Sequence, residues 1–173
     1  MLKEGGVDGV CHPLEVWDPR LFSLICPGKA KNIGQSEWIK RLTTGVEGLG
    51  KGTVTTAFVD GVELAHPAGY KSEDEAAESY LEGCRWLNEH GIYANGLFFR
   101  PVPGTMFEGV VPPRTEYFLR TSLARYKLSR ANDIVLKADR PFKDTRPGLG
   151  HDLAKFGLRQ TLAGRAGEGD RQA

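Results

Sequence analysis

The stretch Gly50–Glu63 constrains this chain most. It reads Gly-Lys-Gly-Thr-Val-Thr-Thr-Ala-Phe-Val-Asp-Gly-Val-Glu. The run Thr53–Val59 is dense in β-branched residues and nearly free of charge, the pattern of a strand buried in a parallel sheet. Asp60-Gly61 turns the chain, and Glu63 follows. Ser72–His90 then reads as a helix, and Ile92–Arg100 as another strand. Strand, connection, helix, strand is the βαβ unit, whose ligands collect at the carboxyl ends of the strands. Gly61, Glu63 and Arg100 all stand at such an end.

Length and charge narrow the classes. With 173 residues, 40% hydrophobic and 26% charged, the chain can bury one real core. A net charge of +1 carries no footprint for nucleic acid or an anionic membrane. No apolar run approaches the ~20 residues that span a bilayer, and Met1–Gly6 lacks the apolar centre of a signal peptide. The expected compartment is the cytoplasm. Cys11, Cys26 and Cys84 are odd in number and form no C-x-x-C pair. Cys84, between Leu81 and Trp86, reads as a buried thiol.

Residues 1–10 are Gly-rich and read as a ragged entry. Pro13–Asp18 alternates like a short strand, with Leu14, Val16 and Trp17 as packing positions. Glu15 points to the other face, which is solvent in a half-buried strand and the lumen in a barrel. A carboxylate in a lumen is costly unless it binds something. Leu21–Ile25 predicts one helical turn, and Cys26-Pro-Gly-Lys29 reads as a loop. Lys29 is there solvated or, with Cys26, turned toward a ligand. Ser36–Glu47 is a helix with Ser36 as its N-cap and Trp38, Ile39, Leu42 and Val46 as its stripe. Arg41 lies near the stripe's edge.

Ser72 followed by three acids predicts the start of the next helix, and Gly91 its left-handed end. His90 reads as a terminal helix residue rather than a catalyst. Two prolines introduce a helix from about Thr115 to Arg130, with Tyr117, Leu119, Leu123, Tyr126 and Leu128 as apolar positions. A short helix follows at His151–Leu162. The expected domain is an α/β unit over residues 11–162, with residues 163–173 as a polar tail without fixed structure. Three strands with helices between them make half of a parallel β/α barrel or a small open sheet, wound right-handed in either case.

Leu14–Asp18, Trp38–Leu42, Val54–Glu63 and Gly91–Gly104, in this order, resemble the C-terminal half of radical S-adenosylmethionine (SAM) enzymes. They are most similar to the biotin synthase and thiazole-synthesis branch. The resemblance spans about residues 10–105 and implies a half TIM-type barrel carrying its fourth, fifth and sixth strands. By resemblance, Glu15 holds the ribose hydroxyls of SAM and Arg41 meets its carboxylate, roles that suit a carboxylate acceptor and a guanidinium fork. Val59, Gly61 and Glu63 line the adenine, and Arg100 closes over cofactor or substrate.

The Cys-x3-Cys-x2-Cys loop that ligates a [4Fe–4S] cluster in that family is absent, and Cys11, Cys26 and Cys84 have no comparable spacing. The resemblance therefore implies a cluster supplied by an N-terminal half, on the same longer chain or a separate subunit. The implied activity is that of a radical SAM enzyme forming a 5′-deoxyadenosyl radical, with a small-molecule substrate. Two alternatives stand beside it. One is a non-catalytic binding or assembly subunit of the same fold. The other is an unrelated TIM-type enzyme using Glu63, Arg100 or His66 for acid–base work.

Overall fold

The computed structural model describes residues 4–7, 9–65 and 68–134. His66, the helix expected at 151–162 and the tail at 163–173 lie outside them. The Gly50–Glu63 stretch supplies the middle strand. Strand β1 (Val10–Cys11), β2 (Val54–Asp60) and β3 (Ile92–Phe98) form one parallel sheet in the order β1-β2-β3. β2 and β3 pair along their whole length, from Val54 opposite Ile92 to Asp60 opposite Phe98. The pairing continues one step further, where the Phe99 N–H donates to the Asp60 carbonyl at 2.9 Å. The described residues therefore form a mixed α/β fold with an open parallel sheet, and they close no barrel.

The first strand is shorter and earlier than Pro13–Asp18 predicts. Pairing with β2 is confined to Val10–Cys11, followed by a single bridge from Glu15 to Phe58. Pro13 has no N–H to give a ladder. Thr56 also intercepts the backbone on both sides of it: its hydroxyl donates to the His12 carbonyl at 2.7 Å and accepts the Leu14 N–H at 2.9 Å. Glu15 itself has φ +73°. The chain crosses the end of β2 as a kinked segment rather than as a continuous strand.

Two helices lie between Asp18 and Gly34. Asp18 caps α1 (Pro19–Ile25), accepting the Arg20 and Leu21 N–H groups at 2.7 and 3.0 Å. The expected loop at Cys26–Lys29 is instead helix α2 (Pro27–Asn32). Proline at a first helical position has its φ preset and no N–H to lose, so Pro27 starts a turn of helix where it would interrupt one further in. Helix α3 (Gln35–Leu49) begins one residue before Ser36, with Gly34 at the cap.

Helix α4 (Glu73–Glu89) matches its pattern closely. The Ser72 hydroxyl accepts the Glu75 N–H at 3.2 Å, and Gly91 beyond the last turn has φ +79°. His90 stacks on Trp86, with ring centroids 3.7 Å apart, and Trp86 packs in turn against Trp17 at 5.5 Å.

The helices cover one face of the sheet. Val54, Phe58, Ile92 and Ala94 point into that layer and are almost fully buried with Leu14, Val16, Phe22, Leu42, Tyr80 and Leu87. The opposite face carries Thr55, Val59, Tyr93 and Asn95, all half-buried, and Leu97, which is 44% exposed. Among the described residues the helices cover only the first of these faces, whereas crossover helices and their partners normally cover both faces of a parallel sheet.

The last helix, α5 (Thr115–Ala131), is oriented differently from its apolar pattern. Its buried positions are Tyr117, Phe118, Thr121, Ser122, Arg125 and Ser129, whereas Leu119, Leu123 and Tyr126 are exposed. Polar partners on the sheet and on α4 decide this rotation. The Thr121 hydroxyl donates to Asp60 Oδ2 at 2.6 Å, Arg125 donates to the Ala94 carbonyl at 3.2 Å, and the Ser129 hydroxyl lies 3.2 Å from the Asn88 amide. Burying the leucines instead would leave these groups unpaired, at a cost of about 1–3 kcal/mol each.

Candidate functional site

Two groups of polar side chains gather at the carboxyl end of the sheet. One is partly open to solvent and the other is sealed.

The open group is built on Glu15. After the break at His12–Leu14 the chain rejoins β2 at Glu15: the Glu15 N–H donates to the Ala57 carbonyl at 2.8 Å, and the Val59 N–H donates to the Glu15 carbonyl at 2.7 Å. Glu15 and Val59, both expected at the site, are thus neighbours through the backbone. The Glu15 carboxylate accepts from Lys29 Nζ at 2.6 Å through Oε1, and Oε2 has no partner among the described residues. Lys29 also donates to the Pro13 carbonyl at 2.8 Å and lies over the Trp38 ring, 5.0 Å from its centroid. Lys29 is therefore not a solvated loop residue. Helix α2 carries it back to the strand end.

Trp38 connects this group to Arg41. Together with His12 they line a shallow hollow of about 60 Å³, far below the roughly 300–1,000 Å³ of a typical ligand pocket. Arg41 pairs along its own helix with Glu37 at 3.1 Å and is 58% exposed, so its guanidinium is free to change partners at little cost. Cys26 stands half-buried nearby. Burial pushes its thiol up, the Glu15 charge adds to that, and Lys29 opposes it. It is not an activated nucleophile.

The sealed group lies beneath α5. Gly61 takes φ +88° at the end of β2, and the chain then makes a turn of 3-10 helix, Val62–Leu64. Within that turn Glu63 folds back so that its Oε2 accepts the Gly61 N–H at 3.1 Å. Its side chain is fully buried, and Oε1 has no hydrogen-bond partner among the described residues. Asp60, Thr121, Tyr80, Tyr117 and Arg125 complete the cluster, all at most 2% exposed. Arg100 lies two residues past β3 as Val62 lies two past β2, but it is exposed. The structure thus brings together Glu15, Val59 and, through Lys29 and Trp38, Arg41. It leaves Glu63 inside the protein and Arg100 on the outside.

Burial pushes the Glu63 carboxyl well above its usual range, and the neighbouring Asp60 adds to the effect. The folded protein therefore holds a proton on Glu63 at pH values where the unfolded chain has lost it. That contribution to stability is complete below the unfolded value, about 4.3, and is lost as pH rises through the raised one. Glu63→Gln keeps the acceptor for Gly61 and removes the titration. Thermal melts from pH 5 to 8 should show the wild type losing stability with rising pH relative to the variant. The variant should be the more stable at pH 8, by on the order of 1 kcal/mol. A difference that does not change with pH would refute this.

A [4Fe–4S] cluster does not fit the residues described. No group of three His, Cys, Asp or Glu among them could hold a metal ion. Cys11 is exposed, Cys26 half-buried and Cys84 buried, and burial pushes the Cys84 thiol up to about 12. Among the described residues, Oε2 of Glu15 accepts no hydrogen bond. Among the described residues, no helix is long and apolar enough to cross a membrane.

The chain is 28% identical over 151 residues to the bacteriochlorophyllide c C-7(1)-hydroxylase of Chlorobaculum limnaeum. The similarity is distant. It covers 84% of this chain and 33% of that protein, so the chain spans about a third of its relative's length. No family model matches the chain, and no solved structure does. The match is to a hydroxylase and lends no support to a place in the biotin synthase and thiazole-synthesis branch.

Proposed function

We propose that this chain is the SAM- and substrate-side part of a radical SAM enzyme. Its three strands would be part of a β/α barrel whose remaining strands and [4Fe–4S] cluster come from an N-terminal half, on a longer chain or a separate subunit. The distant similarity to a bacteriochlorophyllide hydroxylase, itself of the radical SAM class, supports a relation to that class. Among the described residues, one face and both outer edges of the sheet have no covering element, and such a half would supply one.

The observation that carries the reading is Glu15. It is a carboxylate on a kinked residue that bridges β2 near its carboxyl end, with one oxygen held by Lys29 and the other without a hydrogen bond among the described residues. Two hydroxyl groups of a ribose are suitable donors to it. Val59 would lie along the base, Arg41 would leave Glu37 for the ligand carboxylate, and Arg100 would close over the bound molecules. Gly61 and Glu63 would shape the turn that supports this end. The radical chemistry would be supplied by SAM and the cluster, and this chain would orient the ligand and exclude water.

S-adenosylhomocysteine, which is redox-inert, tests the reading. Saturation-transfer NMR with the full chain should show contact at the ribose and adenine protons. Glu15→Gln should weaken binding about tenfold, the loss expected for one charge-assisted hydrogen bond. No transfer to the wild type, or equal binding by the variant, would overturn the assignment.

A further inference from the structure

We infer that Lys29 is a positioning residue for Glu15: it fixes the carboxylate so that Oε2 meets the vicinal diol of a ribose. This rests on the reading of Glu15 just proposed and adds a residue that the reading does not contain.

The amine of Lys29 has three donors. Two are engaged, by the Pro13 carbonyl at 2.8 Å and by Glu15 Oε1 at 2.6 Å. The indole of Trp38, 5.0 Å away, backs the ammonium by a cation–π contact. An amine so occupied is not offering itself to a ligand, and its effect passes through Glu15. The two carbonyl and carboxylate acceptors lie on either side of the kink, one at Pro13 and one at Glu15. Lys29 therefore ties the side chain of Glu15 to the backbone just before it.

The backbone of Glu15 gives this tie a purpose. A glutamate at φ +73° is strained, and such strain persists only where the surroundings over-determine it, as they do at ligand sites. Hydrogen bonds to Ala57 and from Val59 hold the main chain. They do not restrain the three side-chain torsions of Glu15, and Lys29 does. The side chains of both residues are about a quarter exposed, at 29% and 25%, enough to restrict motion while leaving an approach for a ligand.

The test compares adenosine with 2′,3′-dideoxyadenosine, titrated into the full chain by NMR. In the wild type adenosine should bind about tenfold tighter. Lys29→Gln and Lys29→Met should bring the two affinities within about twofold of each other, and Lys29→Arg should restore most of the discrimination. Two variants are used so that one misfolding, seen by circular dichroism, leaves the other to decide. A purely structural lysine would weaken both ligands alike and keep their ratio. If Glu15→Gln abolishes discrimination while both lysine variants keep it, the inference about Lys29 fails and the reading of Glu15 stands. If the wild type itself does not discriminate, the reading of Glu15 fails and this inference with it.

Discussion

Arg125→Leu should lower the stability of the described domain by about 3–5 kcal/mol, the loss seen when one member of a buried charged network is removed. The guanidinium is 2% exposed and donates to the Ala94 carbonyl at 3.2 Å and to the Tyr93 hydroxyl at 3.3 Å. It thus ties α5 to β3 at the edge of the sheet. A leucine in its place leaves the buried Ala94 carbonyl and Tyr93 hydroxyl without that donor. Since whole domains are stable by only about 5–15 kcal/mol, the variant approaches unfolding at moderate temperature. Chemical denaturation measures the change directly. Arg125→Lys should recover little, because an ammonium does not reproduce the planar fork. A loss below about 1 kcal/mol in Arg125→Leu would show that the network contributes little to holding α5.

Gly61→Ala should cost roughly 2–4 kcal/mol, from left-handed strain and overpacking together. Gly61 has φ +88°. A Cβ there would stand 2.9 Å from Pro113 Cγ and 3.1 Å from Phe118 Cε1. Phe118 is itself buried against Phe98 on β3, with ring centroids 4.8 Å apart, so it has little room to retreat. Gly48→Ala is the matched control. Gly48 is in α3 with nothing within 4 Å of an added Cβ, so alanine should stabilise that helix by about 0.5–1 kcal/mol. Equal effects at the two positions in denaturant titrations would mean that the approach of Pro113 and Phe118 is not what requires glycine.

The same position shows how far local pattern reaches. Glycine after Asp60 is legible as a turn. The resemblance to radical SAM enzymes implies an adenine close to it. The structure puts Pro113 and Phe118 against it, residues more than fifty positions away. Glu63 behaves likewise. A carboxylate beyond a parallel strand suggests a ligand, but the 3-10 turn that follows Gly61 folds it inward onto the Gly61 N–H. Arg125 and Thr121 left no such signal. A polar residue in a helical stripe looks like solvent-facing sequence until the Asp60 and Ala94 acceptors opposite it are known.

Lys29 is an intermediate case. The sequence offers a thiol and an ammonium beside Pro27-Gly28 and leaves two destinations open, solvent or a ligand. Pro27 starts a helix rather than a loop, and that brings the amine onto Glu15, which is neither.

Local chemistry alone determined the middle strand, the β/α alternation, the ends of α4 and the burial of Cys84. Each depends on residues within a few positions of one another: β-branched torsions, a hydroxyl reaching the N–H three residues on, a glycine free to turn left. Tertiary structure decided which face of α5 is buried, where the first strand breaks and which carboxylate stays open. Those outcomes depend on hydrogen-bond partners supplied by other elements: Thr56 across from His12 and Leu14, Asp60 beneath Thr121, and Lys29 beside Glu15. A buried polar group must find its partner, and the partner's sequence position is set by the fold.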